Sequence, residues 1–371
     1  MEGQEFDTIV IGGGQTGLTV GYYLGKTGRT FLVVDASDRI GDSWRNRWDS
    51  LVLFTPSGFM GLPGMDFPTD RGDRPVNKDE TADFIEAYAS RMSLPVLSGV
   101  RVERLARVGE FFSVETNSES FRARNVVVAM ANYQEPRIPG FAADLDPEIE
   151  QVHSSRYRNP SQLKDGPTLV VGMGNSGAEI GLELARERQT YVSGKPSAVI
   201  PFRLESWFGR KIGVHLVLFI ATRVLTTSTP IGKKARPKML KRAAPVVRAR
   251  PKDLVAAGAE QVARVTGVRG GLPELADGRV LDVANVVWCT GYQPGFDWID
   301  LPIFDEEGQP RHERGVVEEV PGLYFCGLFF QHAFWSETFP GMPKDARYVV
   351  DHLDRRTTAT AGVRADARTG S

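Results

Sequence analysis

The sequence predicts an α/β chain built from two nested, Rossmann-like dinucleotide-binding domains, and three observations carry that expectation. A G-x-G-x-x-G turn, Gly12-Gly13-Gly14-Gln15-Thr16-Gly17, directly follows an apolar run of β type. A second such turn, Gly172-Met173-Gly174-Asn175-Ser176-Gly177, follows its own apolar run 160 residues later. Two more apolar runs, Asn285-Val286-Val287-Trp288 and Leu323-Tyr324-Phe325-Cys326, come near the end, where the chain must return to complete both sheets.

Thr8-Ile9-Val10-Ile11 reads as a buried parallel strand, 16–24 as a helix, and 30–34 as a second strand. The unit repeats with Thr168-Leu169-Val170-Val171 as strand, 175–187 as helix, and Thr190-Tyr191-Val192 as the next strand. This arrangement divides the chain into a first domain in two parts, 1–150 and 291–354, with the second domain, 151–290, inserted between them. The stretch 355–371 is rich in Thr, Ala, Arg and Gly without periodicity and is expected to be a disordered tail.

The two turns differ in the residues that end the next strand. In the first, Gly12 permits the tight turn, Gly14 lets the backbone approach a pyrophosphate, and Gly17 lets helix and strand pack closely. Asp35 ends the next strand, 23 residues after Gly12, where a carboxylate can hold ribose hydroxyls. In the second, the equivalent strand ends at Ser193, then Gly194 and Lys195, with no acid. A carboxylate there would repel a 2′-phosphate, whereas a hydroxyl and an ammonium can bind one, which favours NADPH over NADH. The alternative for Lys195 is a solvated surface lysine. Two dinucleotide sites on one chain imply hydride passing from a nicotinamide to a flavin, so the first site is assigned to FAD.

Composition narrows the rest. At 371 residues, 41% apolar and 25% charged, the chain is an ordinary soluble protein long enough for two domains. A formal net charge of −1 gives no global reason to expect a nucleic-acid partner or an anionic membrane surface. Glu2, Glu5 and Asp7 stand where a secretory leader needs a basic region, and no apolar run reaches the ~18 residues of a membrane span, so the expected location is cytoplasmic. Cys289 and Cys326 are 37 residues apart and form no C-x-x-C pair, which argues against a dithiol relay and makes molecular oxygen the leading acceptor. The five histidines are scattered, offering neither an acid–base pair nor a metal site.

These residues together resemble the flavin-containing monooxygenases, above all compact bacterial members and the plant YUCCA-type indole-pyruvate enzymes. Besides the glycine turns, the resemblance rests on Gly41-Asp42-Ser43-Trp44-Arg45, Leu53-Phe54-Thr55-Pro56, Trp288-Cys289-Thr290-Gly291-Tyr292, and Pro321 to Leu328. His153-Ser154-Ser155-Arg156-Tyr157 matches one half of the family fingerprint, a linker between domains, and Tyr157 in place of Trp points away from Baeyer–Villiger enzymes. Met130-Ala131 replaces the usual Thr-Gly at a domain crossing, and Pro56 replaces an asparagine that animal members place beside the flavin. The resemblance implies an NADPH-dependent monooxygenase that inserts one atom of O2 into a small organic substrate through a flavin hydroperoxide. It also implies that FAD contacts include Ser43, Trp44, Arg45 and Ala129, and that NADPH contacts include Thr290 and Gly291. The alternative is an FAD-dependent reductase passing electrons to a quinone, a metal or a partner protein.

Two segments carry open readings. Phe329 to Glu337 holds three Phe and a Trp, and is expected near the flavin, with Gln331, His332 and Trp335 as candidate site residues or else as plain core. From Arg203 to Lys252 there are thirteen Lys or Arg against one acid, Glu205. The favoured expectation is an insertion that roofs the active site; the other is a membrane-surface helix with a cationic flank.

Overall fold

The computed structural model describes residues 4–68, 74–204, 206–242 and 244–369. Two parallel-centred sheets dominate it. The first has its strands in the order Val96–Ser98, Phe31–Asp35, Gln4–Ile11, Ser120–Val128, Phe111–Thr116, Val102–Val108. The long strand Ser120–Val128 divides its outer edge. Its first half takes the antiparallel Phe111–Thr116, and its second half takes the returning strand Leu323–Phe325 in parallel. The second sheet is parallel throughout, in the order Glu260–Val262, Thr190–Ser193, Thr168–Val171, Asn285–Trp288, Glu150–His153. The fold is thus α/β with two nested Rossmann-type domains.

The pattern that builds these sheets is continuous apolar runs rather than alternation, because helices cover both faces. Ile9 and Ile11 pack on one side with Val126 and Phe325, while Val10 packs on the other with Val33, Val127 and the final helix at Ala346, Val349 and Leu353. The helix after the first turn is Gln15–Leu24, and the helix after the second is Asn175–Leu184, three residues shorter than its periodicity suggests. In each domain the glycine turn leaves the strand whose two neighbours are reached by opposite crossovers. That is the switch point where open α/β sheets bind ligands.

Three differences from the sequence pattern have physical causes. The final helix runs Met342–Thr369, so the stretch 355–371 is helical through Thr369 rather than a disordered tail. The side chain of Arg356 anchors its start by donating to Asn125 Oδ1 at 2.5 Å. The crossing at Met130-Ala131 needs no glycine, since neither residue has a positive φ. The hairpin of Val102–Val108 with Phe111–Thr116 adds an antiparallel edge that the strand–turn–helix units do not announce.

The basic segment forms a helical run over 207–224 and a second helix, Pro230–Leu240. Glu205 lies outside the described residues. The segment packs on the aromatic stretch near the chain end: Thr227 N–H donates to the His332 carbonyl at 2.7 Å, and Arg236 Nε donates to the Phe330 carbonyl at 3.0 Å.

Candidate functional site: one cavity between two glycine turns

Both glycine turns open into a single cavity of about 1560 Å³. Of the residues expected at the first cofactor, Gly12, Gly14, Gln15, Thr16, Asp35, Ser43, Trp44 and Ala129 line it. Of those expected at the second, Gly172, Gly174, Asn175, Ser176, Gly177, Lys195, Thr290 and Gly291 line it too. Residues 160 positions apart in sequence therefore face one space.

Gly14 and Gly17 show two different demands on the first turn. A Cβ on Gly17 would lie 1.8 Å from the Gly12 carbonyl oxygen, so helix and strand approach too closely for any side chain. Gly177 meets the same limit, at 1.9 Å from the Gly172 carbonyl. Gly14 is different. Its φ of −73° and ψ of −178° suit any residue, and a Cβ there meets no protein atom within 4 Å. Nothing in the protein itself requires glycine at that position, which fits a ligand backbone lying against it at the positive end of the helix.

Asp35 is the organiser of the first turn. Its Oδ2 accepts from Gly13 N–H at 2.5 Å and its Oδ1 from Ser37 N–H at 2.8 Å, leaving each oxygen a further lone pair toward the cavity. Trp44 Nε1 donates to Gln15 Oε1 at 3.3 Å and fixes the wall beside the turn. Arg45, by contrast, does not line the cavity. Its guanidinium is committed to Asp42, Asp83, Glu86 and the Ile40 carbonyl, so its role is to hold the loop against the helix Lys78–Arg91.

A smaller cavity of about 500 Å³ adjoins the second turn. Arg137, Lys195 and Arg264 supply three cations to its lining, which contains no carboxylate. Ser193 also lines it, but its hydroxyl is occupied. Ser193 Oγ donates to the Ala263 carbonyl and accepts from Val265 N–H, both at 3.0 Å, joining the sheet to the next hairpin. Asn175 is similarly engaged: its amide bonds the Pro245 carbonyl and Val247 N–H, which fastens the end of the basic segment over the second turn. Thr290 Oγ1 donates to the Arg137 carbonyl.

Of the aromatic stretch, Phe329 to Ser336 stand behind the cavity and Glu337 lines it. Gln331 is buried and spends its side chain on Leu328 N–H and the Arg314 and Phe325 carbonyls. His332 Nδ1 pairs with Thr227 Oγ1 at 2.9 Å, and burial lowers the pKa of its ring to about 4. Trp335 reaches the cavity only through Phe54, whose ring lies 6.3 Å away and does line it. Leu53 and Thr55 line it as well, whereas Pro56 does not. His153 is a linker histidine: Ser155 N–H donates to Nδ1, so Nε2 carries the proton and donates to the Gly291 carbonyl at 3.1 Å.

Four lining residues that are not among the expected site residues form a chain across the cavity, Arg47 and Tyr133 with no motif signal and Tyr292 and Glu337 inside segments notable for other reasons. Arg47 donates to the Tyr292 hydroxyl at 3.0 Å, the Tyr292 and Tyr133 rings meet edge to face at 5.7 Å, and the Tyr133 hydroxyl donates to Glu337 Oε2 at 2.7 Å. Burial pushes the Glu337 carboxyl up to about 7, against the hydrogen bond from Tyr133. Glu179, on the second-turn helix, is likewise raised to about 7 by burial, with Arg248 opposing. Both cysteines are poor thiolates: burial raises Cys289 to about 12 and Cys326 well above its ordinary value.

The Glu337 shift predicts a pH signature. Its folded pKa lies above the unfolded one, so the contribution is fully present below the ordinary Glu range and is lost as pH rises through about 7. Glu337→Gln keeps an acceptor for Tyr133 and removes the cost of ionisation, about 3 kcal/mol at most. Its melting temperature is expected to match the wild type at pH 5 and exceed it at pH 8.5. An equal difference at both pH values would contradict the assignment.

The family described as pyridine nucleotide-disulphide oxidoreductase matches residues 9–196. The "uncharacterized oxidoreductase CzcO-like" of Geobacillus kaustophilus is 39% identical over 94% of this chain and 98% of its own. A probable indole-3-pyruvate monooxygenase, YUCCA9 of Arabidopsis thaliana, is 28% identical over 86% of this chain and 83% of its own. The solved flavin-containing monooxygenase from Stenotrophomonas maltophilia superposes with a TM-score of 0.73 at 25% identity, covering 95% of this chain and 99% of that one. The chain therefore belongs to the pyridine nucleotide-disulphide oxidoreductase family and, within it, to the flavin-containing monooxygenases.

Proposed function

We propose that this protein is an NADPH-dependent flavoprotein monooxygenase that inserts one oxygen atom from O2 into a small organic substrate. The observation that carries the reading is the single cavity shared by both glycine turns, which lets a nicotinamide held at one reach a flavin held at the other. On this reading FAD lies along Gly12, Gly14 and Asp35 in the domain formed by 1–150 and 291–354. NADPH lies along Gly172, Gly174 and Lys195 in the domain 151–290. The bound flavin supplies the redox and oxygen chemistry, and the chain's own residues position, shield and handle protons.

Three residue groups do that work. Arg137, Lys195 and Arg264 select the 2′-phosphate. Leu53, Phe54, Trp48 and Met130 give the cavity an apolar wall that excludes water, which protects an oxygen-transfer step from wasteful release of peroxide. Glu337, raised by burial to about 7, can hold or release a proton while it accepts the hydrogen bond of Tyr133, whose own hydroxyl proton burial keeps in place. Oxygen is favoured over a thiol acceptor because neither cysteine has the exposed, low-pKa character that dithiol exchange needs.

Mixing the flavin-loaded protein with NADPH separates this reading from a reductase. NADPH consumption in air alone is expected, with peroxide as product until a substrate is added and product oxygenation thereafter. The substrate panel for that assay should hold soft nitrogen and sulfur compounds and α-keto acids. Consumption that begins only when a quinone is supplied would favour the reductase.

A further inference from the structure

The helical run over 207–224 presents its large apolar side chains outward. Trp207 is 69% exposed and Phe219 58%, and Phe208, Ile212, Leu216 and Ile220 are exposed beside them. The inward positions are small: Gly209, Gly213, Val214 and Ala221 are buried. A Cβ on Gly209 would come within 2.0 Å of the Arg203 carbonyl, and one on Gly213 within 2.4 Å of the Phe202 ring. The run is therefore seated tightly on its small face, and of its outward apolar side chains only Phe208 meets a ring among the described residues, that of Phe202 edge to face at 5.7 Å. A surface helix of a soluble protein normally turns its polar side to water.

Cations lie on the same run and on the helix that follows it. Arg210, Lys211 and Arg223 lie on the run itself, and Lys233, Lys234 and Lys238 on the following helix Pro230–Leu240, which also exposes Ile231. None of these six makes an ion pair among the described residues, although the whole chain carries a net charge of only −1. Positive charge is thus concentrated in this part of the chain. Two copies of this surface meeting face to face would oppose cation to cation, which disfavours self-association. An apolar face with aromatic residues and cations on the same run is complementary to the interface of an anionic bilayer.

We propose that residues 207–220 dock this protein on the surface of anionic lipid membranes, without spanning them. No helix among the described residues is long and apolar enough to cross a membrane. The apolar side chains enter the headgroup boundary while the cations pair with lipid phosphates and carboxylates. This inference stands independently of the oxygenase reading.

The test is co-sedimentation of the flavin-loaded full chain with vesicles at physiological salt. One set contains phosphatidylcholine alone and the other phosphatidylcholine with phosphatidylserine. The wild type is expected to pellet with the anionic vesicles and at least tenfold less with the neutral ones. The double variant Leu216→Glu, Phe219→Glu is expected to lose tenfold or more in vesicle affinity while keeping its flavin content and melting temperature. Arg210→Ser and Lys211→Ser should each cost about fivefold, the scale of one cation at an anionic surface. A wild type that stays in the supernatant with both vesicle sets would overturn the proposal. So would a double variant that pellets like the wild type. So would a dimer, seen by sedimentation velocity, that the double variant abolishes without any vesicle binding, since that result assigns the face to a second copy.

Discussion

Gly14→Val is expected to give a folded protein without flavin. The substitution separates two meanings of a glycine motif. At Gly14 the backbone is extended, with φ −73°, and the Cβ position points into the cavity with no protein atom within 4 Å. A valine there clashes with nothing in the chain, so circular dichroism and thermal unfolding should stay close to wild type. It does occupy the place where a pyrophosphate must approach the helix end, so bound flavin should fall by two orders of magnitude or more. Gly17→Ala supplies the contrast. Its Cβ would lie 1.8 Å from the Gly12 carbonyl oxygen, so that variant should lose stability and flavin together. Full flavin content in a folded Gly14→Val protein would remove the first turn from the cofactor site.

Lys195→Glu is expected to raise the KM for NADPH by tenfold to a hundredfold, about the value of one charge-assisted hydrogen bond to phosphate, and to change the KM for NADH far less. Lys195 lines both cavities, and Arg137 and Arg264 complete a cationic lining free of carboxylates. Placing an acid among them recreates the ribose-binding pattern of an NADH site. Ser193→Ala provides the control. Its hydroxyl bonds the Ala263 carbonyl and Val265 N–H, so its loss should lower stability while affecting both nucleotides equally. Steady-state kinetics with the two nucleotides read both outcomes. Equal effects of Lys195→Glu on NADPH and NADH would make Lys195 a surface lysine.

Sequence separation decides how much of the site is legible in the sequence. The glycine turns are local: strand, turn and helix lie within about twenty consecutive residues, and their spacing alone carries the geometry. The wall across the cavity is not local. Arg47 and Tyr292 are 245 residues apart, and Tyr133 and Glu337 are 204 apart. No pattern within a window pairs them, although Tyr292 sits inside a segment that resembles the family. Arg137 and Arg264 are hidden for the same reason.

Arg45, Ser193 and Gln331 show the converse. Arg45 and Ser193 stand at positions where a cofactor contact is expected, and both are claimed by partners that only the tertiary fold supplies. Gln331 is drawn into backbone hydrogen bonds by the turn at Phe330, a non-glycine residue held at φ 51°. In the basic segment, charge is legible from composition. The outward direction of its apolar face is not, because that depends on the two glycines that seat the helix.

The central claim is that one cavity brings a reduced flavin, its nicotinamide donor and oxygen together away from water. The most direct test is stopped-flow reaction of the NADPH-reduced protein with O2, following flavin absorbance and hydrogen peroxide release at once. The predicted result is rapid loss of the reduced-flavin signal with peroxide appearing only after a lag, and a longer lag when NADP+ remains bound. Simultaneous reoxidation and peroxide release, unaffected by NADP+, or reoxidation that waits for an added quinone, would contradict it.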